Sequence, residues 1–253
     1  MRAPVDTIAA PLFPAKLPWV NVAGGQGAKM STLQRGKPLL VEFWDFCRPN
    51  SIRTLPYVKA WHERYAQHGL RTVGVHCPGF EPSREEDAVR AAVARLGIEY
   101  PVLIDSEFEL WREYENEGWP ARYLFDGGAR LFEYHYGEGG YLETELAIQE
   151  LLAVEQEPLG PLRPEDEPGV LLVPQTEDQP GAYSGPYAAA GVWGVFDGEG
   201  SVSANGLLHE VDHPGAYPLV EHGRHTEGVL DLKEGPGVKC IATCFTPGPM
   251  RTN

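Results

Sequence analysis

Two hydrophobic rhythms alternate along the first 155 or so residues. Pro38-Leu-Leu-Val-Glu-Phe-Trp44 is a short apolar run rich in β-formers, which predicts a buried parallel strand. Ile52, Leu55, Val58, Trp61 and Tyr65 then recur at three- and four-residue spacing, predicting a helix over 51–68 that Gly69 stops. Leu70 to His76 reads as the next strand. Ser83 and Glu86 have capping-box spacing ahead of a helix with Val89, Val93 and Leu96 on its apolar side, ending at Gly97. A strand over Pro101–Asp105 follows, then a shorter helical pattern carrying Phe108, Leu110, Trp111 and Tyr114. Ala121–Phe125 and Arg130–Tyr136 flank Asp126-Gly-Gly128 as a hairpin, and a helix over Glu143–Val154 closes the region. Strand and helix alternate up to Tyr123 before the hairpin, so the order implies parallel βαβ pairing with an antiparallel edge.

The pattern changes at Gln156. Pro158, Pro161, Pro164, Pro168 and Pro174 among acidic residues favour an extended connector over 156–179. From 180 to 253, glycine and proline punctuate short β-type runs such as Val192–Phe196, Gly228–Leu232 and Val238–Phe245, which predict a small all-β module. The expected organisation is an α/β domain over 1–155, a Pro/acid-rich linker over 156–179 and the β module over 180–253.

Charge narrows the partners. A formal net charge of -15 over 253 residues repels phosphate backbones and anionic lipid, so neither nucleic acid nor membrane is expected. No run of about 18 apolar residues occurs, and Pro4, Pro11, Pro14, Pro18 and Gly24–Gly25 interrupt the beginning of the chain before any signal-type apolar core forms. The expected address is cytoplasmic. Four cysteines in a chain of this size do not make a disulfide scaffold, so a reactive one would matter as chemistry.

Leu40-Val-Glu-Phe-Trp-Asp-Phe-Cys-Arg-Pro-Asn-Ser-Ile-Arg-Thr-Leu-Pro56 resembles, without a gap, the strand, active-site loop and first helix of the thioredoxin-like superfamily. Gly118-Trp-Pro-Ala-Arg-Tyr-Leu-Phe-Asp126 is similar to that superfamily's second signature, in which a cis-proline faces the active-site loop. Ile52–Tyr57, Gly74–His76 and Gly137–Leu152 are similar to the thioredoxin-like domain of DipZ-type proteins, with redoxins of the AhpC/TSA and TlpA kind as neighbours. The likeness covers roughly Ala10 to Val154. It implies a thioredoxin-like α/β/α sandwich around a mixed central sheet, and an oxidoreductase setting of antioxidant or cell-redox type.

The same alignment places the attacking and resolving cysteines of the family on Arg48 and Ser51. Dithiol exchange needs a thiolate attacker and a second thiol to release the substrate, so the active site is expected to be degenerate. Glu42 matches the family's buried acid and Pro120 its cis-proline. Cys47, beside Arg48 and close to the start of the first helix, is the candidate nucleophile, with Arg48 as its electrostatic activator; packing in place of a tryptophan is the competing reading. A protein, a small thiol or a peroxide would then be the substrate. A peroxidase is the less favoured version, because Leu40 and Trp44 stand where a Pro-x-x-x-Thr-x-x-Cys pattern needs Pro and Thr.

A non-catalytic binding protein is the second functional class. Arg48, Asn50 and Ser51 at a helix start suit an anion or carboxylate, and Trp44, Cys77, Trp119 and Pro120 complete the candidate binding residues. Cys77 ends the strand beside the one leading to Cys47, and a disulfide between them would need Cα atoms within about 7 Å. No cofactor is expected. Cys240 and Cys244 on one strand would share a face about 13 Å apart and read as core. His209, His213, His222 and His225 form the one cluster with ligand chemistry, but their spacing fits no zinc signature, so no metal is expected either. DipZ-type proteins carry a β-sandwich resembling carbohydrate-binding modules, and Gly235–Gly248 is faintly similar to its closing strand; the resemblance implies sugar binding through Tyr183, Tyr187, Trp193 or Tyr217, and packing of the module onto the first domain or a partner chain is the favoured competing reading. The oligomeric state leaves no trace in the sequence.

Overall fold

A computed structural model of the chain describes residues 1–3, 7–22 and 36–250, so Pro4 and Gly24–Gly25 lie outside the described residues. Contacts divide the chain into two compact units. The first comprises Met1–Asp45, Arg53–Gly79 and Arg84–Leu159, and the second Phe46–Ile52, Phe80–Ser83 and Gly160–Asn253.

In the first unit the elements are β1 (Trp19–Val20), β2 (Leu39–Trp44), α1 (Pro49–Tyr65, whose residues up to Ile52 are grouped with the second unit), β3 (Arg71–His76), α2 (Glu86–Arg95), β4 (Val102–Ile104), α3 (Glu109–Glu113), β5 (Ala121–Phe125), β6 (Leu131–Tyr136) and α4 (Tyr141–Leu152). The sheet runs β1-β4-β3-β2-β5-β6. β2 pairs parallel with β3, and β3 with β4, while β5 and β6 add antiparallel. The mixed sheet with an antiparallel edge is therefore the one implied by the order of elements. α1 begins two residues earlier than its apolar spacing indicates, with Pro49 at the first position, where no backbone N–H is needed. It ends through a short 3₁₀ turn at Gly69, whose φ of 111° only glycine adopts freely.

Every residue of β2 is buried, so its alternation sorts side chains between two dry faces rather than between core and water. Leu39, Val41 and Phe43 join Val73, Val75, Tyr123 and Phe125 and the α3 residue Leu110 in one apolar cluster. On the other face, α1 and α4 lock together: Tyr57 stacks on Tyr141 at 3.8 Å, and Trp61 Nε1 and Tyr65 Oη both donate to the buried Glu145 carboxylate at 3.2 and 2.7 Å. Aromatic side chains of this size each contribute about 1.5–3 kcal/mol or more on burial.

The expected capping box does not form. Glu85 is the N-cap of α2 with no side-chain cap, and Ser83 sits in a 3₁₀ turn where its hydroxyl donates to Phe80 O at 2.9 Å. A serine bonded back to its own turn is no longer free to cap the next one.

The second unit carries β7 (Leu172–Val173), β8 (Gln179–Pro180), β9 (Ser184–Gly198), β10 (Gly200–Ala204), β11 (Leu207–Val211), β12 (Gly215–Glu234), β13 (Val238–Thr246) and β14 (Gly248–Pro249). The sheet order is β11-β10-β12-β9-β13-β8, all antiparallel, with β7 and β14 forming a separate pair. Two of the three short β-type runs named from the sequence are thus parts of long strands of 15 and 20 residues, β9 and β12, and the third is most of β13. The stretch expected as a uniform linker holds a 3₁₀ turn at Pro164–Asp166 and β7.

Cys240 and Cys244 do not share a face, contrary to the simple alternation. A register shift between Cys240 and Ala242 inserts one residue, so Cys240 opposes Phe196 whereas Cys244 opposes Trp193. Phe196 and Trp193 are three apart on β9 and point opposite ways, and their partners follow them. Cys240 accordingly lies in the core cluster with Phe196, Val238 and Phe245.

Candidate functional site

The first unit builds its polar centre at the carboxyl ends of β2 and β3, where Trp44 opposes His76. Glu42 is fully buried between two strands, opposite Gly74 on β3 and Arg122 on β5. Its Oε2 accepts a long hydrogen bond of 3.5 Å from Tyr100 Oη, and Oε1 has no hydrogen-bond partner. Burial pushes the carboxyl up to about 8, against the opposing pull of the Arg122 charge and the Tyr100 hydroxyl. Glu42 is therefore protonated at neutral pH. Arg122, also fully buried, donates through Nη2 to Gly139 O at 2.5 Å and lies 5.1 Å from the Tyr141 ring centroid. The opposition of Glu42 and Arg122 needs the β2–β5 register, which no local sequence pattern reveals.

Gly74 is required for this arrangement. A Cβ there would stand 3.0 Å from Trp44 Nε1, 3.2 Å from the Tyr100 ring and 3.3 Å from Val102. The Trp44 indole occupies that space with its N–H unpaired, edge-on to His76 at 5.1 Å.

Beside the strand ends, Asp45 Oδ2 accepts from Gly79 N at 2.8 Å, and its Oδ1 lies 3.4 Å from His76 Nε2 with both side chains buried. Cys77 Sγ contacts Asp105 Oδ2 at 3.6 Å. Burial, then the Asp105 charge and hydrogen bond, then Asp45, push the Cys77 thiol far above its ordinary value. Asp105 in turn accepts from the backbone of Glu109 at 2.6 Å and Trp111 at 2.9 Å, capping α3. An aspartate four residues ahead of a helix pattern was the sequence signal for this role. The Trp119–Pro120 peptide is cis, and Trp119 Nε1 donates to Cys77 O at 3.0 Å. Cys77, Trp119 and Pro120 thus come together, as does Trp44, whose carbonyl accepts from Cys77 N at 3.1 Å.

Cys47, Arg48, Asn50 and Ser51 fall in the segment grouped with the second unit. Cys47 and Ser51 are wholly buried, Arg48 is half-buried and Asn50 is exposed. The Arg48 guanidinium lies 4.4 Å over the Phe80 ring, a cation–π contact. All four cysteines are buried thiols that form no disulfide. Burial raises Cys240 to about 11 and pushes Cys244 further still.

Two of the four histidines of the second unit, His213 and His222, serve separate tyrosines. His222 Nε2 lies 2.8 Å from Tyr187 Oη and His213 Nδ1 2.8 Å from Tyr217 Oη. Among the described residues no group of three or more His, Cys, Asp or Glu side chains could hold a metal ion. Tyr187 and Trp193 are buried, so two of the four candidate sugar-binding aromatics are core.

No family model matches the chain. It is 32% identical over 260 residues to Protein DipZ of Mycobacterium bovis, a match that takes in 93% of this chain but 37% of the relative. The chain thus spans little more than a third of the length of that relative. It is 30% identical over 117 residues to the thiol-disulfide oxidoreductase YkuV of Bacillus subtilis, covering 46% of this chain and 78% of that protein. Among solved structures, a thioredoxin-like protein in the oxidised form superposes with a TM-score of 0.51 at 27% identity, over 58% of this chain and 97% of that one. No helix among the described residues is long and apolar enough to cross a membrane.

Proposed function

We propose that this chain, which belongs to the thioredoxin-like thiol–disulfide oxidoreductase family, keeps that family's scaffold as a binding protein and has lost thiol exchange. The observation that carries this reading is the burial of every thiol: Cys47 and Cys77 are 0% exposed, and Cys240 and Cys244 are 3% exposed. A nucleophilic cysteine needs access as well as thiolate character. Cys77 lacks both, since its thiol faces two carboxylates. Arg48 and Ser51, aligned with the dithiol, supply no sulfur.

What persists in the first unit is the buried acid Glu42 and the cis-proline Pro120, the position whose edge holds substrate backbone in relatives. The half-buried Trp119 packs 4.4 Å from Trp111, leaving a rigid aromatic shoulder beside the proline. An extended segment of a partner polypeptide is the occupant this edge suits, with main-chain groups supplying the contacts. No redox cofactor enters this reading.

Iodoacetamide labelling of the native protein across pH 6–9, read by mass spectrometry, is the test. All four thiols are expected to stay unmodified while urea-unfolded protein labels completely. Rapid native labelling of Cys47 with a pKa below that of a free thiol, together with insulin reduction, would establish the single-cysteine oxidoreductase instead.

A further inference from the structure

The sheet of the second unit is buried on both faces. Val192, Phe196 and Phe245 belong to its core cluster. Trp193, Val195, Ala242 and Cys244 alternate with them along β9 and β13, lie outside that cluster, and are nonetheless buried. Trp193 opposes Cys244 and Val195 opposes Ala242, so the four make one patch on the far face. An apolar face hidden from water has a cover. The segments that pack with this sheet in the second unit include Phe46–Ile52 and Phe80–Ser83, and the first of them carries Arg48 and Ser51 at the dithiol positions.

Several contacts join this loop to the strands. A Cβ on Gly215, the first residue of β12, would stand 3.9 Å from Phe46 O, so the strand begins in van der Waals range of the loop backbone. The Arg48 guanidinium rests on the Phe80 ring at 4.4 Å. Its charge also reaches β13: burial, then the Asp178 charge and hydrogen bond, push the Cys244 thiol up, and the Arg48 charge pulls it back down. Asp178 is itself fixed to β13, where its Oδ1 accepts from Phe245 N at 3.0 Å. On the loop side, Arg48 O accepts from Ile52 N at 3.1 Å in the first turn of α1.

We infer that Arg48 is the anchor by which the β module clasps the loop bearing the lost dithiol, so that the loop and β13 open and close together. A guanidinium is planar and permanently charged, so one group lies on the Phe80 ring and acts electrostatically at Cys244. A cysteine at this position would carry neither the plane nor the charge. Arg48 is thus a positioning residue of the loop, in place of the activator of Cys47 expected from its sequence position. What holds the loop is a question separate from thiol exchange, and backbone hydrogen exchange reads it whatever the reactivity of the sulfurs.

Amide hydrogen exchange of the full chain, followed by NMR at Ile52 in α1 and Phe245 in β13, is the test. Arg48→Met keeps the stem of the side chain and removes the charge. Both amides are then expected to exchange about fivefold faster, by factors that agree within about twofold, while the amides of β10 and β11 keep their rates. Arg48→Lys keeps the charge and is expected to recover most of the protection. Phe80→Leu, which carries the same test without altering position 48, is expected to accelerate both amides about threefold. Unchanged exchange in Arg48→Met, acceleration at only one of the two amides, or Arg48→Lys as disruptive as Arg48→Met would each overturn the proposal. Acceleration that extends equally to β10 and β11 would show a general loss of stability and would overturn it as well. Unchanged far-ultraviolet circular dichroism is the check that each variant is folded.

Discussion

Replacing Glu42 by glutamine isolates the energetic consequence of burying a carboxyl opposite Gly74 and Arg122. The folded pKa of about 8 stands well above the ordinary value of 4.5. Below pH 4.5 both folded and unfolded forms carry the proton, and the contribution of the group to stability is fully present. Between 4.5 and 8 the unfolded chain releases the proton while the folded chain keeps it, so stability is lost as pH rises through that window. Each pH unit over which the two forms differ by one proton is worth about 1.4 kcal/mol. The whole window is therefore worth about 5 kcal/mol, of which about 3 is lost by pH 7. Such a loss is a large part of the 5–15 kcal/mol or so by which domains are stable.

Glutamine has the shape of the protonated acid and no charge to desolvate. Urea unfolding at pH 5, 7 and 9 is expected to show Glu42→Gln within about 1 kcal/mol of the natural protein at pH 5 and progressively more stable at higher pH. Carbon NMR of the Glu42 carboxyl gives its pKa directly. A difference between the two proteins that does not vary with pH would refute the reasoning. A variant less stable than the natural protein at pH 9 would show that Glu42 is charged and paired with Arg122.

Other outcomes follow from the same structure. Burial pushes His135 down to about 4, so its contribution is present above 6.5 and is lost as pH falls through about 4; proton NMR of the ring checks the pKa. Gly74→Ala drives a methyl group against Trp44, Tyr100 and Val102 and is expected to cost about 1–3 kcal/mol by urea unfolding. Arg48→Cys combined with Ser51→Cys restores sulfur at the aligned dithiol positions, and insulin reduction is expected to appear; a folded double variant with no activity would show that more than the cysteines has been lost.

Much of the fold was legible in the chain because strand and helix rhythms are local. Leu39–Trp44, the α1 stripe of Leu55, Val58 and Trp61, and the hairpin about Asp126-Gly-Gly128 each declare themselves within a few residues. The resemblance of Leu40–Pro56 singled out Glu42 and that of Gly118–Asp126 the proline at 120, and the structure finds the acid buried and the proline cis. Local pattern failed where a distant partner sets the outcome. Ser83 bonded back to Phe80 instead of capping α2, and a bulge on β13 turned Cys244 away from Cys240.

The sequence by itself determined which segments alternate and that Arg48 and Ser51 stand at the family's dithiol positions. Tertiary structure alone decided the chemical state of what remains. The protonation of Glu42 depends on complete removal from water and on the limited relief from Arg122 one strand away, and the Cys77 thiol is set by carboxylates from residues 45 and 105. Desolvation and charge proximity are properties of three-dimensional distance, so no run of neighbouring residues encodes them.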